Sequence, residues 1–261
     1  MTDVRVEVSG QVMHISLDAP ESMNSLTPAV LDGLTTALDA AEESTSLRAL
    51  VVRGVGKAFC VGMDIDFLGE CFADPFGVFL PFIRRYHEVL DRLEALPVPS
   101  IAAVNGLARA GGFELLLACD FVVAADEARV ADTHRDFGVV PGAGASIRAA
   151  RKLGDQKARA LLLAGHWLTG EEMTRWGLAL CNVPLAGLDD EVQRLTDRLC
   201  DRSRPVTAAI KQLLNAAPDL RLADALRMER ELFSRFVESV PDAAEGYRAF
   251  VEKRPAHWAD A

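Results

Sequence analysis

Basic residues are in short supply: 28 lysines and arginines stand against 38 aspartates and glutamates, a formal net charge of −10 at pH 7. That balance excludes broad attraction to nucleic acid or to an anionic membrane surface, so an anionic ligand needs a locally built site. Cysteine is scarce too. The five (Cys60, Cys71, Cys119, Cys181 and Cys200) are an odd number without a Cys-x-x-Cys pair, which argues for buried free thiols over a disulfide framework or a zinc knuckle. No apolar run approaches the ~20 residues of a membrane span. The opening MTDVRVEVSG lacks the basic segment and apolar core of a signal peptide, so a cytoplasmic location is expected. His14, His87, His166 and His257 have no metal-ligand spacing, and no metal is expected. Low-complexity tracts and short fixed repeats are missing as well.

What is present reads as one packed domain over residues 1–261, half of it apolar and a quarter charged. Val4 to Val8 and Val12 to Leu17 alternate around Ser9-Gly10, the pattern of a β-hairpin. Thr27-Pro28 supplies an N-cap and a first-turn proline for a helix carrying Val30, Leu31, Leu34 and Leu38 on one face. Ala49 to Val52, Ile101 to Val104 and Phe121 to Ala125 read as short buried strands separated by helical segments, an α/β order with parallel strands. Pro75 to Leu96 is helical in pattern, with Pro81 kinking it or ending a first short piece. After about residue 146 everything reads as helix: Arg148 to Ala164, Thr169 to Gly177 with a Thr169/Glu172 capping box, Asp189 to Arg202, Pro205 to Ala216 and Leu222 to Ser239. The division expected is a β/α core over 1–200 and a helical extension over 201–261.

Three stretches could carry chemistry. Ile101-Ala-Ala-Val-Asn-Gly runs through a glycine-rich turn into a helix starting near Gly111-Gly112, whose unpaired first-turn amides suit an oxygen that gains negative charge. Glu114 follows in the first turn ahead of three leucines; it is either an acid/base group with a pKa raised by burial or a glutamate that only complements the helix dipole. Gly54 to Ile65 leaves a strand with three glycines, and the Met63 amide is either a second oxyanion donor or part of a plain connecting turn. Ala131 to Gly144 fits neither a phosphate-cradling loop nor a dinucleotide fingerprint. Its His134 either exchanges protons near neutrality or sits at the surface of a polar turn.

These same residues resemble the enoyl-CoA hydratase/isomerase, or crotonase, superfamily over nearly the whole chain. Lys57-Ala-Phe-Cys-Val-Gly-Met63-Asp64-Ile65 is similar to its first oxyanion loop, Ala103-Val-Asn-Gly to Gly111-Gly112-Phe-Glu114-Leu to its second, and Phe250-Val-Glu-Lys253-Arg254 to its C-terminal ending. The resemblance implies a crotonase-like ββα spiral with a C-terminal helical trimerisation region, assembled as a trimer or a dimer of trimers. It implies an acyl-CoA thioester substrate and no cofactor, coenzyme A entering as part of the substrate. Met63 and Gly111 would give the oxyanion amides, Glu114 and His134 the acid/base pair, and Asp64, Ile65, Gly112, Pro141, Gly142 and Lys253 contacts to substrate. His134 stands where hydratases of the family carry a second glutamate, and Asp18-Ala19-Pro20 lacks the arginine many relatives place before that proline. Relatives that hydrolyse carbon–carbon bonds in β-diketones also carry a histidine there, with an aspartate at the position of Ala143. Hydration of a trans-2-enoyl-CoA is therefore the leading expectation. Double-bond isomerisation, decarboxylation, C–C hydrolysis and non-catalytic acyl-CoA binding are the alternatives.

Overall fold

The computed structural model describes residues 3–259; the two residues at each end of the predicted 1–261 domain, and with them the start of the segment read for a signal peptide, lie outside the described residues. The chain opens with strands β1 (Val4–Ser9) and β2 (Val12–Leu17), an antiparallel hairpin closed at Gly10, whose φ of 58° suits glycine. Helix α1 (Pro28–Glu43) follows with Thr27 Oγ1 accepting from the Val30 amide at 3.2 Å, and it buries Val30, Leu31, Leu34 and Leu38 as the spacing predicts. Next come β3 (Ala49–Gly54), β4 (Ala58–Cys60), α2 (Ile65–Ala73) and a short π-helical turn over Pro75–Phe79. Helix α3 (Leu80–Ala95) then takes Pro81 into its first turn, where a missing N–H costs nothing, so the proline separates the two pieces rather than kinking one.

The next stretch holds β5 (Ser100–Val104), β6 (Leu107–Arg109), α4 (Gly111–Ala118), β7 (Phe121–Ala125) and β8 (Arg129–Ala131). It continues through α5 (Ala145–Leu153), α6 (Asp155–Leu162), β9 (Leu168–Thr169), α7 (Gly170–Trp176), β10 (Cys181–Val183) and α8 (Leu188–Cys200). Helices α9 (Arg204–Ala216), α10 (Leu222–Ser239) and α11 (Asp242–Glu252) close the chain. The larger sheet runs β1-β2-β3-β5-β7-β10 and the smaller β4-β6-β8-β9; beyond the first hairpin all pairings are parallel except β8 with β9. β5 is buried along its whole length, as expected of a parallel strand covered on both faces.

Four expectations need correction. The helix expected over Arg148 to Ala164 is two, because Gly154 sits at φ 81° and breaks it. The region after residue 146 is not all helix: β9 and β10 return to the two sheets. Helices α2 and α11 form where the sequence pattern predicts no element. The cysteines are all free, but only Cys60, Cys71 and Cys119 are buried, while Cys181 and Cys200 are half-buried.

From residue 204 onward the helices are tied to the core by few but specific contacts. Lys211 Nζ reaches Asp120 at 2.6 Å and the Val98 carbonyl at 3.1 Å, and Arg204 donates to the carbonyls of Ser44 and Leu47. Helix α10 buries none of its residues. Among the described residues, no helix is long and apolar enough to cross a membrane, and no group of three or more His, Cys, Asp or Glu could hold a metal ion.

Candidate active site

A cavity of about 850 Å³ opens between α2, the π turn and α3 on one side and the β6–α4 turn and the segment after β8 on the other. Leu68, Phe79, Phe82, Ile83, Val139 and Val140 make much of its wall apolar. The ionisable groups on the wall are Asp64, Tyr86, Arg109, Glu114 and His134. A few polar groups in an apolar concavity is the usual build of a small-molecule site.

Two backbone segments meet at its edge. Leu26 bridges to Met63 in parallel, its amide donating to the Gly62 carbonyl at 2.8 Å while the Asp64 amide donates to the Leu26 carbonyl at 3.0 Å. This pattern uses the Gly62 carbonyl and the Asp64 N–H and turns the Met63 N–H away from Leu26. Gly111 opens α4, so its amide has no acceptor within the helix. The two segments touch: a Cβ on Gly62 (φ 86°) would lie 3.1 Å from the Gly111 nitrogen and 2.9 Å from the Ala110 Cβ. Tyr86 Oη donates to the Gly111 carbonyl at 2.6 Å and so holds the turn from below. Burial pushes the Tyr86 hydroxyl well above its ordinary pKa, which keeps it a donor.

Glu114 lies inside the fold at 2 % exposure. Its Oε1 accepts from the amides of Ala143 at 2.7 Å and Ala145 at 3.2 Å, at the start of α5, and its Oε2 lies 3.8 Å from His134 Nε2. Burial raises the Glu114 pKa, and the nearby imidazole and the two amides offset only part of that rise. His134 begins a 3₁₀ turn over His134–Phe137 and is no surface residue, its side chain being 15 % exposed. Burial works against its charged form, but the hydrogen bond from Nδ1 to Asp132 and the charge of Glu114 outweigh that and raise its pKa. Asp132 itself is buried, with Oδ2 3.0 Å from Nδ1 and Oδ1 accepting from the His134 amide at 3.0 Å. Two groups whose proton affinity is raised, one acidic and one basic, thus face each other at the foot of the cavity.

The structure brings Met63, Asp64, Ile65, Gly111, Glu114, His134 and Gly142 together on the cavity wall. Asp64 has both oxygens engaged: Oδ1 caps α2 through the amides of Asp66 and Phe67, and Oδ2 accepts from Ser25 Oγ at 3.0 Å. Gly112 is behind the wall, where a Cβ would come 1.9 Å from the Cys60 carbonyl oxygen, so glycine is needed for α4 to lie against β4. Pro141 and Lys253 do not line the cavity; Lys253 is exposed at the end of α11 in a left-handed conformation, φ 53°. Tyr86 and Asp132 were not singled out in the sequence. Tyr86 is one of only two tyrosines, yet it falls among apolar residues in the α3 stripe. Asp132 could have been found as the carboxylate two residues before a candidate histidine, within reach of its ring.

The family model described as enoyl-CoA hydratase/isomerase matches residues 7–261. A relative named "Probable enoyl-CoA hydratase" from Rhizobium meliloti (strain 1021) is 34% identical over 254 residues, 97% of this chain and 96% of the relative. The mitochondrial enoyl-CoA hydratase of Pongo abelii is 33% identical over 248 residues, 94% of this chain and 83% of the relative. Among solved structures, the crystal structure of enoyl-CoA hydratase from Bacillus anthracis superposes with a TM-score of 0.94 at 29% identity, covering 99% of this chain and 100% of that one.

Proposed function

The chain belongs to the enoyl-CoA hydratase/isomerase family, and from that premise we propose that it adds water reversibly across the double bond of a trans-2-enoyl-CoA. The observation that carries this reading is the Glu114–His134 pair, 3.8 Å apart at the foot of an apolar cavity with the Met63 and Gly111 amides at its edge. In the proposed step Glu114 Oε2 takes a proton from water as the water oxygen bonds to C3. The electron pair of the double bond moves onto the thioester oxygen, where two amides aimed at the developing charge lower the barrier, by ~3 kcal/mol for one such donor. His134 Nε2–H then gives its proton to C2, and the proton gained by Glu114 returns to His134 across the short gap. Atoms balance as enoyl-CoA plus water to 3-hydroxyacyl-CoA, with no cofactor beyond the coenzyme A of the substrate.

The wall of Leu68, Phe79, Phe82, Ile83 and Val140 suits an apolar acyl chain. A cytoplasmic location and a homotrimer, alone or paired into a hexamer, complete the reading. The assembly is supported by α9 to α11, which leave Ile210, Leu214, Leu222, Phe233, Val237 and Phe250 exposed. A second reading, double-bond isomerisation, uses the same pair to move one proton along the chain. Glu114→Gln tests the proposal: turnover of an enoyl-CoA should fall by ~10² or more while acyl-CoA binding stays within a few-fold. Turnover surviving within a few-fold makes Glu114 structural. A panel of 2-enoyl-, 3-enoyl-, β-keto- and malonyl-type thioesters separates hydration from the other reactions.

A further inference from the structure

We infer that Asp132 is a positioning residue for the reaction proposed above, setting the tautomer and direction of the His134 ring so that Nε2 faces Glu114. The inference rests on that reading for its kinetic consequence and on geometry for the rest. Asp132 follows directly on Ala131, the last residue of β8, so its backbone is fixed by the smaller sheet. Its two oxygens serve two donors of one residue: the His134 amide at 3.0 Å and the ring Nδ1 at 3.0 Å. A carboxylate has no proton to donate, so Nδ1 must carry the hydrogen. The neutral ring then presents a lone pair at Nε2 and the charged ring an N–H, in both cases toward Glu114 Oε2. Without this anchor the imidazole has two tautomers and two ring orientations, and only one combination serves proton exchange with Glu114.

The charged groups around the ring leave this task to Asp132. Glu114, on α4, is the other carboxylate that faces it. Arg148 on α5 is paired with Asp91 and Glu94, Arg135 and Asp136 on the same turn pair with each other, and Tyr86 on α3 is committed to the Gly111 carbonyl. Arg109 on β6 lines the same cavity and donates Nε to the Val61 carbonyl.

Asp132→Asn gives the sharpest test, because asparagine has the same shape but one acceptor oxygen where two donors must be met. If its amide nitrogen turns to the ring, Nδ1 must become the acceptor; the ring is then neutral with its hydrogen on Nε2, too weak an acid to give it to C2 and without a lone pair there to take the proton from Glu114. Expected in Asp132→Asn are a fall in kcat of about 10²-fold, a KM within a few-fold of the parent, and an alkaline limb of kcat/KM displaced to lower pH. A variant with unchanged kcat and an unchanged limb overturns the inference. Nitrogen-15 spectra of the ring in the unmodified protein, with His134 assigned by its loss in His134→Ala, decide the geometry without any Asp132 variant. The Nδ1–H tautomer at high pH supports the assignment, and the Nε2–H tautomer overturns it even if Asp132→Asn fails to fold. If the unmodified protein hydrates no enoyl-CoA, the functional reading fails, while the tautomer still decides what Asp132 does to His134.

Discussion

Glu114 is an ionisable group placed where ionisation is costly, and this has a consequence for stability separate from catalysis. Its pKa is raised above the ordinary 4.5 chiefly by burial, so the folded chain holds this proton more tightly than the unfolded chain. Stability therefore falls as pH rises through the ordinary value, and keeps falling until the folded carboxyl has ionised as well. His134, also raised, contributes stability that is fully present below its ordinary 6.5 and is lost as pH climbs through its folded value. The two trends have the same sign. Glu114→Gln keeps an oxygen for the amides of Ala143 and Ala145 but has no charge to bury. We expect it to be more stable than the parent at pH 8, by on the order of 1 kcal/mol, with the margin shrinking toward pH 5. Urea titrations across that range check this, and a less stable Gln variant at pH 8 would mean that the two amides, not burial, dominate. The partly apolar setting of Glu114 was legible from its place after Gly111-Gly112 and ahead of three leucines, and the structure buries it; whether it acts or only complements the helix dipole was open until the resemblance. His134 stood out as a histidine in a polar turn, with proton exchange and a surface position both open, and only the resemblance set it opposite Glu114. Tyr86 did not emerge, because what it does depends on a carbonyl 25 residues away, whereas Asp132 did not emerge although its two-residue spacing from His134 is a local signal.

At the level of elements, the turn between β6 and α4 carries a residue with strained backbone. Ala110 adopts φ 47° and ψ −118°, a conformation suited to glycine, immediately before the amide that opens α4. Such a position costs ~1–3 kcal/mol for a residue with a Cβ and persists where the surroundings enforce it. Ala110→Gly should relieve it and raise the melting temperature by about 2 °C in a chain of this size; a lower melting temperature would show that Ala110 contributes packing worth more than the strain. Sequence patterns located the elements whose signals are local. The Thr27-Pro28 start of α1, the Thr169/Glu172 box of α7 and the strand over Phe121–Ala125 all lie where they were read. The smaller sheet escaped because β4, β6 and β8 have three residues each and β9 two, too few for alternation to declare itself. Helix α2 was hidden behind the glycine-bearing loop over Gly54 to Met63, although Asp64 followed by Asp66 is a helix-start signal. The break at Gly154 depends on a single left-handed residue inside an otherwise continuous apolar stripe.

For the whole molecule, the unpartnered surface is concentrated after residue 204. Phe233 is 68% exposed on α10, beside Ile210 of α9 in a shallow apolar groove. If copies of the chain cover this region, light scattering should give the mass of a trimer or hexamer, and Phe233→Asp should shift it toward monomer. A stable monomer at micromolar concentration in the unmodified protein would count against the assembly. The strand order of the sheets bears on how the chain is made. In both sheets neighbouring strands follow the direction of synthesis, each new strand joining the edge left by the one before. A ribosome releasing the chain from its N-terminus never delivers a strand that must be inserted between two already paired, so assembly can keep pace with translation. Met63, Gly111, Glu114 and His134 all leave the exit tunnel ahead of Ala143 and Ala145, whose amides hold the glutamate. Every residue that lines the cavity, the last being Gly142, thus emerges before α6 to α11 are translated, so its wall can form ahead of them.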